Sequence, residues 1–156
     1  MDARFVNCYL VAAQHVFKTM LGLDLIMGKP SLKTDGRTAR DITGIMGFGG
    51  DKKGTFAISL GQQGAVEIYR TLTGEEQTEM GPEILDAIGE LTNIISGQTR
   101  KELENLGFNI TAALPTVITG RNLQINIITR APVITLPFTF CSNGTNGEMS
   151  IDFSFE

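Results

Sequence analysis

The most regular pattern of apolar and polar residues in this chain predicts a long amphipathic helix over about residues 82–105. At about 100° per residue, its apolar positions fall on one side and its polar positions on the other, which is typical of a helix packed on a core. The apolar side consists of Ile84, Ile88, Leu91, Ile95 and Leu106. The polar stripe, about 60° wide, consists of Asp86, Glu90, Asn93 and Gly97 and is extended by Arg100, Lys101 and Glu104.

Two glycines within this helix make its polar stripe a candidate working surface. A glycine inside a helix costs roughly 1 kcal/mol relative to alanine, and Gly97 lies on the stripe itself, just beyond Asn93. Because glycine has no side chain, the outer surface of the helix has a gap at this point. The gap leaves room for another molecule beside Asn93 and Glu90. Gly89 has a second explanation, since a glycine there also suits close packing of the helix on a neighbour.

The spacing of Glu90 and Asn93 is not distinctive by itself. The same Glu-x-x-Asn pattern recurs at Glu102 and Asn105 in the same helix. A solvated helix face is the ordinary explanation of such a pattern, and a docking surface is the alternative. The rest of the chain has to separate the two.

The pattern around the long helix is repeated in the first half of the chain, with an offset of 85 residues. A helix predicted over residues 2–21 ends at Gly22, and the long helix ends in the same way at Gly107. Glycine at either place suits a left-handed helix cap. Each glycine is followed eight residues later by a proline, Pro30 in the first half and Pro115 in the second.

Runs of apolar and alternating residues predict the strands of each half. The last strand alternates most cleanly, with Ser150, Asp152 and Ser154 on its polar side, which predicts a strand with one face in water. We therefore expect a single α+β domain over residues 1–156. Two helix–strand–hairpin repeats, at about 2–60 and 82–156, should form a mainly antiparallel sheet with helices packed on one face. The predicted strands are 23–27, 42–48, 55–60, 108–112, 133–141 and 149–155, with a further helix at 62–72.

Only one half of the predicted duplication carries the polar pair. Shifting Glu90 and Asn93 back by 85 residues leads to Phe5 and Cys8. The first helix therefore has apolar residues where the second has a carboxylate and an amide. A purely solvated face has no need of this difference, which favours a docking surface, although divergence after duplication also produces it.

Composition excludes several classes of function. The 156 residues carry a formal net charge of −4 and no basic run interleaved with aromatic residues, so nucleic acid is not an expected partner. The two cysteines, Cys8 and Cys141, lack the spacing of metal ligands, and His15 is the only histidine. We expect no disulfide, no metal site and a non-catalytic, half-exposed His15. Neither a signal peptide nor a membrane span is evident, which predicts a soluble protein of the cytoplasm.

The glycine-rich segment 47–50 superficially resembles a phosphate-binding loop. It is followed by the polar segment 51–54 and then by a predicted strand rather than a helix. A phosphate loop requires a helix at that point, so the segment predicts the tip of a hairpin.

Taken together, these motifs resemble the CheC/CheX/FliY family of chemotaxis phosphatases, and its CheX members most of all. The family's motif is an Asp or Ser, then Glu, then Asn, and a proline further on, which are here Asp86, Glu90, Asn93 and Pro115. CheC proteins typically carry two such motifs, whereas this chain, like CheX, carries one. Residues 120–132 match no part of the family's pattern.

This resemblance implies hydrolysis of the aspartyl-phosphate on a CheY-type response regulator. In the roles that it implies, Asn93 orients the attacking water and Glu90 pairs with a lysine of the regulator. Asp86 contacts the partner or favours the helix start, and Gly97 leaves space for the partner. The resemblance also implies a homodimer, no cofactor of its own, and Mg²⁺ supplied by the regulator. The alternative is a non-catalytic interaction module on the same fold, such as a chemotaxis scaffold or a flagellar-switch component.

Overall fold

The computed structural model describes residues 2–77 and 79–156, which form three α-helices and eight β-strands. The helices are α1 (Ala3–Val16), α2 (Gln62–Thr73) and α3 (Pro82–Asn105), and a π-helical turn, Phe17–Leu21, continues α1. The strands are β1 (Ile26–Met27), β2 (Ser31–Leu32), β3 (Ile42–Gly50), β4 (Gly54–Leu60), β5 (Ile110–Ala112), β6 (Thr116–Thr119), β7 (Ile134–Ser142) and β8 (Thr145–Phe155). Among these described residues, no helix is both long enough and apolar enough to cross a bilayer.

The strands form one antiparallel sheet in the order β1-β7-β8-β4-β3-β5, with β2 also paired to β7 and β6 to β3. Alternate residues of the central strands, such as Phe56 and Ile58 of β4, lie in the same buried cluster as Ile84 and Ile88 of α3. The predicted antiparallel sheet with helices packed on one face is confirmed.

The short strands of each half pair with the hairpin of the other half. β1 and β2, which follow α1, both pair with β7. β5 and β6, which follow α3, both pair with β3. At the centre of the sheet, β4 pairs with β8 and so joins the two hairpins. This reciprocal pairing is the arrangement expected of two related halves, and on that basis we propose that the fold is a duplication.

The ends of several elements differ from the sequence-based expectation. The strands expected at 23–27 and 108–112 shorten to two and three residues. The loop expected after β7 is a two-residue turn, in which Asn143 and Gly144 have φ values of 50° and 78°. Two successive positive φ angles are typical of the type I′ turn, whose twist matches that of the flanking strands.

The expectation that β8 has one face in water is wrong. Ser150, Asp152 and Ser154 are only 2%, 8% and 0% exposed. Segments 33–38 and 125–133 lie over this second face of the sheet and enclose with it a cavity of about 260 Å³. Most of segment 120–132, which matches no part of the family's pattern, therefore covers the polar side of β8.

Burial of Asp152 on this second face is balanced by two partners. Nζ of Lys33 lies 3.1 Å from its carboxylate, and the hydroxyl of Thr135 donates a hydrogen bond of 2.6 Å to it. A carboxylate taken out of water is strongly unfavourable unless it is paired and hydrogen-bonded. The polar alternation of β8 therefore marks internal polar contacts rather than a solvated face.

Close contacts with two strands fix the position of α3 above the sheet. A Cβ atom on Gly44 of β3 would lie 2.1 Å from Oγ1 and 3.0 Å from Cβ of Thr92, and Thr92 is fully buried in α3. A Cβ atom on Gly89 of α3 would lie 3.2 Å from Cγ2 of Val117 in β6. Of the two explanations for Gly89, close helix packing is the one that the structure supports.

We expect Gly44→Ala to lower the free energy of unfolding by about 1–3 kcal/mol, the usual cost of overpacking a core. Rotation of the Thr92 side chain does not relieve the contact, because the Thr92 Cβ itself would be only 3.0 Å from the new methyl group. Chemical denaturation measures the change. Gly47→Ala in the same strand is the control, since nothing lies within 4 Å of a Cβ atom there. An equal loss of stability in the two variants would contradict this role of Gly44.

Candidate functional site

The polar stripe of α3 faces solvent, as the sequence predicts. Asp86, Glu90 and Asn93 are exposed, and Gly97 is half-buried. Within the described part of the chain, these three polar side chains make no hydrogen bond to another residue. They are therefore free to bind a partner. The side chains of α3 that do hydrogen-bond in that part of the chain are Thr92, Gln98, Thr99 and Glu102.

The rest of α3 holds this stripe rigidly. Gly81 caps the helix and Pro82 occupies its first turn, where proline's fixed φ and missing N–H are tolerated. The apolar face is in the core, with each of its four central side chains at most 1% exposed. Cβ atoms three residues apart on a helix lie about 5–6 Å from each other, so α3 holds Glu90 and Asn93 as neighbours on its exposed face. The four buried side chains are Ile84, Ile88, Leu91 and Ile95.

The motif proline lies beside the strand that supports this helix. Pro115 directly precedes β6, whose Val117 is the residue packed against Gly89. The preceding Leu114 is 88% exposed. Apolar periodicity does not reveal this exposure, because Leu114 lies in the short connection between β5 and β6. Its exposure makes it an apolar candidate for partner contact.

The second Glu-x-x-Asn pattern does not form an equivalent pair. Glu102 is half-buried, and its carboxylate accepts a hydrogen bond of 3.1 Å from Gln98. Asn105 is exposed but is the last residue of α3. The two copies of the pattern are therefore distinguished by the hydrogen bond to Glu102.

The corresponding surface of α1 is used for packing. Phe5 contacts the rings of Phe108 and Phe155, with centroids 5.6 and 4.7 Å away, and Cys8 is only 6% exposed. Burial raises the pKa of the Cys8 thiol to about 11, so this cysteine stays protonated at neutral pH and is not an activated nucleophile. The first helix thus contributes core residues at the positions where α3 carries its polar pair.

The other candidates from the sequence lie away from the stripe. His15 is exposed, and both Cys8 and Cys141 are free thiols. The glycine-rich segment 47–50 belongs to β3 and pairs with β4 and β5, which confirms a hairpin and excludes a phosphate loop. The tip of the hairpin is at residues 51–53, between β3 and β4, rather than at 47–50. Within residues 2–77 and 79–156, no group of three or more His, Cys, Asp or Glu residues is placed to hold a metal ion.

Comparison with known proteins agrees with the fold. A family profile described as chemotaxis phosphatase CheX matches residues 42–139, which include α3 and Pro115. The CheY-P phosphatase CheX of Thermotoga maritima is 29% identical over 137 residues, or 85% of this chain and 88% of that protein. The crystal structure of CheX from Desulfovibrio desulfuricans is 31% identical, covers 97% of this chain and 99% of its own, and superposes with a TM-score of 0.86. For CheX from Vibrio vulnificus, the identity is 32%, the coverage 97% and 99%, and the TM-score 0.84. This chain belongs to the chemotaxis phosphatase CheX family.

Proposed function

We propose that this protein is a phosphatase that hydrolyses the aspartyl-phosphate of a CheY-type response regulator. The observation that carries the proposal is the pair of Glu90 and Asn93, which is exposed and held on a rigid helix in a chain of the CheX family. The relative from Thermotoga maritima is a CheY-P phosphatase. Response regulators act in the cytoplasm, and the proposal places this protein there as well.

The chemistry asks little of the protein. An acyl phosphate is already labile, and each 1.4 kcal/mol removed from its barrier accelerates hydrolysis about tenfold. Positioning a water molecule in line with the phosphorus atom supplies an effect of that size. The regulator carries the phosphorylated aspartate and its own Mg²⁺. A side chain that orients water is therefore sufficient, and no nucleophile is needed on this chain.

In this proposal Asn93 is the catalytic residue and Glu90 the docking residue. The amide of Asn93 both donates and accepts hydrogen bonds, so it can hold a water molecule in one orientation beside the phosphoryl group. Glu90, one turn earlier on the same stripe, pairs with a lysine of the regulator. This pairing fixes how deeply Asn93 enters the active site of the regulator. Asp86 lies one turn further out and contacts the partner or stabilises the start of α3. Gly97 has no side chain and so leaves space for the partner on the C-terminal side of Asn93.

The direct test follows the phosphoryl group on a panel of CheY-type regulators. Each regulator is phosphorylated with labelled phosphate and incubated with and without this protein. We expect loss of label from at least one regulator to accelerate by about tenfold or more. Binding to regulators without any acceleration would identify a non-catalytic interaction module instead. Absence of both binding and acceleration across the panel would overturn the proposal altogether.

We also propose that the protein is a homodimer joined along the edge of the sheet formed by β1 and β2. Ile26 and Leu32, on these two strands, are 65% and 61% exposed, and exposed apolar side chains at one edge of the sheet favour burial against a second chain. Light scattering is expected to give the mass of a dimer. Ile26→Lys should reduce that mass to a monomer, because a lysine on an edge strand opposes pairing. A monomeric wild-type protein would refute this part of the proposal.

A further inference from the structure

Arg100 is a half-buried arginine on the polar stripe of α3 without a carboxylate partner. In the part of the chain that the structure describes, the other two half-buried arginines, Arg40 and Arg70, each pair with a glutamate. Arg100 has no ion pair there, which sets it apart from both. Its Nε atom is buried without a hydrogen-bond acceptor, as is that of Arg70. An N–H group that is removed from water and left unpaired is unfavourable. The free protein therefore keeps an unmet donor beside its candidate site.

Gly97 gives the Arg100 side chain its position. Side chains on a helix lean toward its N-terminus and cover the preceding turn, which for Arg100 is the turn that contains Gly97. A Cβ atom on Gly97 would lie 3.8 Å from Nη2 of Arg100, so the guanidinium group rests over this glycine. Asn93 is one turn further toward the N-terminus, about 6 Å along the helix axis.

The charges along the stripe are arranged in order. Asp86 and Glu90 are acidic, Arg100 is basic, Asn93 lies between them, and the acidic Glu104 follows Arg100. Because the guanidinium group of Arg100 rests over Gly97, its charge lies about 10 Å along the axis from the position of Glu90. A partner with a cation and an anion at a matching separation is therefore recognised in one orientation only.

We infer that Arg100 is a second docking residue, which binds an oxyanion of the phosphorylated regulator while Glu90 binds its lysine. This inference rests on the proposed phosphatase function. The planar guanidinium donates two parallel N–H bonds to a carboxylate or a phosphoryl group. The Nη atoms of Arg100 are the donors within reach of such a group, because only its Nε atom is both buried and unpaired in the described structure. Arg100 thus orients the regulator about Asn93 without taking part in the chemical step.

The test uses a regulator that the wild-type protein dephosphorylates, with KM and kcat measured separately. We expect Arg100→Ala to raise KM about tenfold and to change kcat by less than about twofold, as for a lost docking contact. The KM of Arg100→Lys should lie between those of the wild type and Arg100→Ala, because lysine keeps the positive charge and loses the two parallel N–H donors of the guanidinium group. The matched control is Arg130→Ala, which removes an exposed arginine from segment 125–133 on the other face of the sheet and should leave KM within about twofold.

Binding measurements identify the oxyanion. The affinity of each variant is measured for the regulator with and without beryllofluoride, which mimics the phosphoryl group. A loss confined to the beryllofluoride form assigns Arg100 to the phosphoryl group, and an equal loss in both forms assigns it to a carboxylate. Unchanged KM and affinity in Arg100→Ala, with normal wild-type turnover, would overturn the role of Arg100 and leave the phosphatase intact. A wild-type protein without turnover on any regulator would overturn both.

Gly97→Leu tests the same inference without touching the charge. Leucine at this position displaces the guanidinium from the glycine, so KM should rise as in Arg100→Ala and should rise little further when the two changes are combined. The melting temperature should rise slightly, because a good helix former replaces a glycine. A purely structural role of Arg100 predicts the reverse, namely a lower melting temperature in both variants and an unchanged KM. Thermal melts on the kinetic samples separate the two outcomes.

Discussion

Asn93→Ala is expected to raise the barrier to dephosphorylation by about 2–4 kcal/mol, roughly 30- to 1,000-fold in kcat, as when one preorganised polar group is removed from an active site. KM should change little, because Glu90 still docks the regulator. The fold should be unaffected, since the Asn93 side chain is exposed. Single-turnover dephosphorylation with excess protein measures the chemical step directly.

The chain supplies a matched control for this experiment in Asn105. It is also exposed, lies on the same helix and follows a glutamate at the same spacing. Asn105→Ala should dephosphorylate at the wild-type rate. If Asn93→Ala folds normally and also dephosphorylates the regulator at the wild-type rate, the water-orienting mechanism is wrong.

Glu90→Ala is expected to weaken binding of the regulator by about 2 kcal/mol, or roughly 30-fold in Kd, because its partner lysine loses its counter-charge in a partly dehydrated interface. Binding should also become less sensitive to ionic strength, since one attractive charge pair has been removed. Titrations of the regulator at several salt concentrations measure both quantities.

Asp35→Ala serves as the control for the change in net charge. Asp35 is exposed in segment 33–38 on the other face of the sheet, so its removal should leave affinity and salt dependence close to wild type. A Glu90→Ala variant with the affinity and salt slope of Asp35→Ala would exclude Glu90 from the docking surface.

The amphipathic pattern alone was sufficient to predict α3 and its exposed face. Its limits of 82–105 and the exposure of Asp86, Glu90 and Asn93 agree with the structure, because a helix of this length repeats its signal many times. The Asn143-Gly144 pair is a local signal of a two-residue hairpin turn. The turn it forms replaces the longer loop that was expected.

Other features depend on contacts between distant segments and carry no local signal. The sequence of β8 alone predicts a solvated polar side, because it carries no signal that segment 125–133 covers that side in the fold. Gly89 and Gly97 look alike in the sequence, and only their neighbours in the fold separate them: Val117 of β6 packs against Gly89, and the side chain of Arg100 rests over Gly97. That Arg100 forms no ion pair in the described structure is likewise a property of the fold.

The reciprocal pairing of short strands and hairpins has a consequence for biosynthesis. When α1, β3 and β4 have left the ribosome, the partner of β1 and β2 has not yet been made, since Ile26 pairs with Thr139. β4 also waits for β8, which becomes the middle of the sheet although it is the last strand of the sequence. Such distant pairings make folding slow and leave strand edges open in the growing chain. The sheet that supports α3 is therefore completed late, and a nascent chain depends on protection from aggregation until β7 and β8 emerge.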